Sequence, residues 1–169
     1  MEITTDVSLK GTAWSTAIEK LAPIFKTRTN FSIFMFSLAI GVMYDKRIEK
    51  PEGSDDDAKS SPSVPRNVIQ NNDNGRLDFI FQAAILSTTT EAFEEKDRLE
   101  LAFGERSDFK KIDFLTQFAN FGVTKLVELV GDTTLESMEN IKNFAASTVE
   151  GRNLDIDDLP DEILIDEDF

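Results

Sequence analysis

The apolar positions of this chain come in blocks with a helical period. The densest is Phe31 to Tyr44, FSIFMFSLAIGVMY, broken only by Ser32 and Ser37. A helix that is apolar on all sides must be surrounded on all sides. At 1.5 Å per residue the block reaches roughly 21 Å, short of the roughly 30 Å hydrocarbon core of a bilayer. It is therefore expected to be the central helix of a water-soluble helical domain. Gly41 inside it costs roughly 1 kcal/mol against Ala, which points to the close approach of a neighbouring helix.

Met1 to Gly11 is compatible with a short strand or a loose arm. Trp14, Ala17, Ile18 and Leu21 then follow the i, i+3, i+4, i+7 spacing of one helical face, with Thr12 as N-cap and Pro23 ending the helix. Lys26 to Asn30 is a polar hinge into the central helix. Glu49 to Pro65 holds three of the five prolines and the triplet Asp55 to Asp57, with little to bury, and reads as a flexible insertion over 49–65. Val64, Val68 and Ile69 are placed as brief docking points, and Asn71 to Gly75 as a turn.

A second apolar helix is expected over Leu77 to Leu86, buried on most sides and the best partner for the first. In Glu91 to Gly104, Ala92, Phe93, Leu99, Ala102 and Phe103 are expected to face inward. Phe109, Ile112, Phe114, Leu115, Phe118 and Ala119 mark the next helix, which Gly122 is expected to stop or bend. A short helix through Leu126, Val127, Leu129 and Val130 follows. Thr133 or Thr134 with Glu136 or Ser137 resembles a capping start for a last long helix through Leu135, Met138, Ile141, Phe144, Ala145 and Val149. The expected fold is all-α: one compact bundle of about six helices over 1–150, then an acidic tail over 151–169.

Charge is unevenly placed. Residues 1–50 carry seven basic and five acidic side chains, residues 51–100 five and eleven, residues 101–150 five and eight, and the last stretch one and eight, for a net charge of −14. Phosphate-backbone binding normally shows a basic surplus, so direct nucleic-acid binding is disfavoured. Only the first third offers a candidate basic patch: Lys26, Arg28, Lys46 and Arg47, whose plain reading is ordinary surface charge. The absence of Cys and His removes thiolate nucleophiles, Cys/His zinc sites and imidazole bases from the sequence. Glu91, Glu94 and Glu95 read as a solvated face, and no phosphate-cradling GxxxxGK occurs. No catalytic, metal or cofactor residue is expected. The opening residues lack a basic start and a following apolar run, so the expected address is cytoplasmic with no membrane association. In the tail, Leu154, Ile156, Leu159, Ile163, Ile165 and Phe169 alternate with acids, a pattern suited either to disorder or to contact with a partner.

Two stretches, LAPIFKTRTNFSIFMFSLAIGVMYDKRIEKPEG and DFLTQFANFGVTKLVELVGD, resemble the small accessory proteins associated with bacterial DNA-phosphorothioation (Dnd-type) defence islands. The similar portion runs from about Leu21 to Asp132. The resemblance carries no catalytic residues; it implies a non-enzymatic role in anti-phage defence through protein–protein contacts, with a larger defence or DNA-processing protein as partner. Self-association is left open. A different class of function, an acidic inhibitor that mimics DNA, would need carboxylates regularly spaced along one face. Direct DNA binding through the early basic residues stands behind both, and an enzyme is the least expected.

Overall fold

The computed structural model describes residues 1, 3–54, 61–104 and 109–150, with backbone alone for 148–150. Among them the chain runs β1 (Val7–Ser8), α1 (Thr12–Leu21), α2 (Thr29–Tyr44), β2 (Ser63–Val64), α3 (Arg66–Asn72), α4 (Arg76–Ser87), α5 (Glu95–Phe103), α6 (Lys111–Glu128) and α7 (Thr134–Glu150). The architecture is a helical bundle with one small antiparallel ribbon. None of the described helices is long and apolar enough to cross a membrane.

The bundle is built on the pairing of α2 with α6. The partner expected for α2 was α4; small residues decide for α6. Gly41 lies against the Phe118 carbonyl and Gly122 against the Ser37 carbonyl, so closely that a Cβ at either position would collide with backbone. Two glycines thus let the helix axes approach at one crossing. Gly122 therefore does not stop the helix: α6 runs unbroken through it, merging the two helices expected there. Its conformational cost of about 1 kcal/mol is offset by the packing it permits. Phe34, Leu38, Leu115, Phe118, Ala119, Val123 and Leu126 are buried around this crossing.

The central helix is not enclosed on every side. Met35, Phe36, Val42 and Met43 are half-buried, and Ala39 and Tyr44 are exposed. It ends in a left-handed residue, Asp45, at φ 47° and ψ 51°. The Asp45 amide donates to the Val42 carbonyl at 3.1 Å and the Lys46 amide to the Gly41 carbonyl at 3.2 Å, the paired bonds of a Schellman stop.

The N-terminal arm resolves into a strand. Val7 pairs with Val64 and Ser8 with Ser63, while Ile3, Val7, Leu9 and Val64 are buried in the common core. The 49–65 insertion is held at both ends: the Thr12 amide donates to the Glu52 carbonyl at 3.0 Å, and the Leu9 amide to the Pro62 carbonyl at 2.8 Å. The two docking points Val68 and Ile69 belong to α3, the additional helix. The capping start of α7 is present, with Thr133 Oγ1 accepting from the Glu136 amide at 3.1 Å and Glu136 Oε2 from the Asp132 amide at 2.9 Å.

Candidate partner-binding surface

The four cations proposed as a basic patch fall into two separated pairs. Lys26 and Arg28 are exposed in the connection that enters α2, and Lys46 and Arg47 follow its far end, about one 24 Å helix length away. Lys46 is exposed, with Nζ 5.7 Å from the Phe121 ring centroid.

Arg47 is turned inward, and its side chain is only 13% exposed. Nε donates to Thr90 Oγ1 at 2.8 Å, Nη1 to Gln117 Oε1 at 2.9 Å, and Nη2 to Glu91 Oε1 at 2.5 Å. The guanidinium also lies 4.9 Å from the Phe114 ring centroid and 5.8 Å from that of Phe118. An arginine so engaged holds elements together. Beside it, the Asp45 carboxylate accepts from Thr88 Oγ1 at 2.6 Å, from the Thr89 amide at 2.7 Å and from Thr89 Oγ1 at 2.7 Å. Burial alone would raise the Asp45 pKa. The hydrogen bonds from Thr88 and Thr89, with the charge of Arg47, outweigh it and hold the carboxyl below its ordinary value. Together Asp45 and Arg47 clamp the α4–α5 connection onto the end of α2.

That clamp fixes how α4 and α5 present themselves. α4 buries Leu77, Phe81, Ala84 and Ile85 and turns the opposite face outward. On that outer face Phe79 is 72% exposed and Leu86 42%, with exposed Ala83 between them at the i, i+4, i+7 spacing. The expectation that α4 is buried on most sides is corrected here. α5 packs on α4 and is locked to it by Arg98, whose Nη1 donates to the Ile85 carbonyl at 2.6 Å and Nη2 to the Glu91 carbonyl at 3.2 Å. Leu101 and Ala102 are buried, so Leu99 (49% exposed) and Phe103 (65%), one turn apart, face away from the core, contrary to expectation; Ala92 is exposed as well.

The missed residues carried a signal. Apolar side chains at Leu77, Phe79, Ile80 and Phe81 span more of the helix than one neighbour covers. Likewise Leu99, Leu101, Ala102 and Phe103 point around most of a turn and cannot all share one face. Leu135 and Met138, expected in the buried stripe of α7, are also exposed, whereas Ile141 and Phe144 pack on the core.

Of the acids, Glu91 is tied to Arg47, and Glu94 and Glu95 are exposed. Among the described residues no three acids come together in a way that could hold a metal ion. Asp55 to Asp57 and the tail residues Leu154, Ile156, Leu159, Ile163, Ile165 and Phe169 lie outside the described residues. The chain matches no protein-family model, no curated protein and no solved structure.

Proposed function

We propose that this chain is a non-enzymatic accessory subunit of a bacterial anti-phage defence system, working through protein–protein contacts in the cytoplasm. One observation supports the contact role most: Phe79, Leu86, Leu99 and Phe103 stand in water on two helices that pack against each other. Single exposed apolar residues are ordinary; apolar pairs at helical spacing on each of two packed helices support a role in contact with a partner. The resemblance of Leu21 to Asp132 to Dnd-associated accessory proteins supplies the kind of partner, a larger defence or DNA-processing protein.

The test is affinity purification from the native host with the full chain and with a Phe79→Ser/Leu86→Ser variant. The wild type is expected to retain a defence or DNA-processing protein that the variant loses. Recovery of no such protein by the wild type overturns the reading. A DNA mimic would act through carboxylates and compete with duplex DNA for a nuclease whether or not Phe79 is present, so the same variant separates the two functions.

A further inference from the structure

We infer that the outer face of α5 is a groove for a cationic amphipathic helix of the partner; this rests on the contact reading above and names the chemistry of the segment bound. A shallow, open depression of about 550 Å³ runs along α5, lined by Glu95, Lys96, Leu99, Glu100, Phe103 and Gly104, all on that helix or at its C-terminal cap. Its apolar floor is Leu99 and Phe103, one helical turn apart, the spacing that receives i and i+4 anchors of a second helix.

Charge then selects the sign of the partner. Of the two cations of α5, Arg98 is committed to the Ile85 and Glu91 carbonyls, so the lining carries exposed Lys96 against exposed Glu95 and Glu100, a surplus of one negative charge. The last turn of α5 holds no basic residue, so its carbonyl end adds partial negative charge beside Phe103. The groove is apolar in the middle and electronegative at the rim, on a chain of net charge −14. A helix with Leu or Phe on one face and Lys or Arg flanking it satisfies both parts. A second copy of this chain would bring like charge to the rim.

The test uses the full chain and a synthetic Leu/Lys amphipathic helical peptide carrying a fluorophore, followed by anisotropy, with a Leu/Glu peptide of the same pattern as comparison. The Leu/Lys peptide is expected to bind and the Leu/Glu peptide not. Leu99→Ser/Phe103→Ser is expected to weaken binding at least about tenfold, as truncation of central apolar anchors does. Glu95→Lys/Glu100→Lys is expected to weaken it more than about fivefold and to flatten its salt dependence, whereas Glu19→Lys/Glu139→Lys, with the same net charge, changes it less than about twofold. Melting curves confirm that each variant is folded. Equal losses from the two charge pairs mean general attraction and overturn the proposal, as does binding indifferent to Leu99 and Phe103. Self-association abolished by Leu99→Ser/Phe103→Ser assigns the groove to a second copy and also overturns it. If the peptide fails while the native partner is still captured through Phe79 and Leu86, the groove inference falls and the contact reading stands.

Discussion

Trp14 Nε1 donates to Asn120 Oδ1 at 2.9 Å, joining α1 to α6 across 106 positions of sequence. The Asn120 side chain also donates from Nδ2 to the Ile48 carbonyl at 3.0 Å, so one buried amide holds α1, α6 and the chain leaving α2. Trp14 is fully buried and stacked at 6.4 Å on Phe34. Replacing Asn120 by Leu strands the indole N–H and a backbone carbonyl. The expected loss is about 2–4 kcal/mol from two orphaned groups, read by urea unfolding.

The glycine crossing makes a comparative prediction. Gly122→Ala forces a methyl group into the Ser37 carbonyl and is expected to cost about 2–3 kcal/mol by overpacking. Gly75, at φ 78° with open space around its missing Cβ, bears only the left-handed backbone penalty, so Gly75→Ala costs about 1–2 kcal/mol. The larger effect at Gly122, measured by thermal or chemical denaturation, distinguishes helix contact from turn geometry. In the same crossing the Ser37 hydroxyl is buried without a partner, and Ser37→Ala is expected to raise stability by up to about 1 kcal/mol.

Asp45 gives the fold an acid-sensitive point. Its folded-state pKa is held below the ordinary 3.8, because the Thr88 and Thr89 hydrogen bonds and Arg47 outweigh burial. The carboxylate therefore contributes stability that is fully present above the unfolded-state value and is lost as pH falls through the lower folded-state one. Asp45→Asn is expected to be less stable than wild type at neutral pH, with the gap closing toward pH values below 3.8. Unfolding curves at a series of pH values check this, and a gap independent of pH would sink it.

Arg47→Ala removes the guanidinium's hydrogen bonds to Thr90, Glu91 and Gln117, leaving the backbone bond from Ile48 to the Gln117 carbonyl and the Asp45 bonds in place. The expected cost is about 2–3 kcal/mol, more than a surface cation contributes, because the guanidinium also covers Phe114 and Phe118. Lys26→Ala and Arg28→Ala, at exposed positions, are each expected to stay within about 0.5 kcal/mol of wild type.

Phe79→Ser reports on function without reporting on folding. The side chain is 72% exposed, so its removal is expected to leave stability within about 0.5 kcal/mol of wild type while partner capture is lost. A large drop in melting temperature would instead place Phe79 in a structural role.

Local pattern made the helices legible, since the period of apolar residues depends only on each stretch of chain. The spacing through Trp14, Ala17 and Leu21, the stop before Pro23, the dense run from Phe31 and the capping start at Thr133 all lie in the sequence itself. Only the tertiary structure decided which helix lies on which. Glycine reads as a helix breaker when seen alone, yet Gly122 sits mid-helix because the backbone of α2 needs the space of its missing side chain. The same limit hid the candidate surface. Leu99 and Phe103 have the composition of core residues, and the core side of α5 is set by Leu101 and Ala102 meeting the rest of the bundle and by Arg98 reaching carbonyls on α4 and in the connection. Hydrophobicity dictates that a side chain seeks cover; which neighbour supplies it depends on packing between segments far apart in sequence.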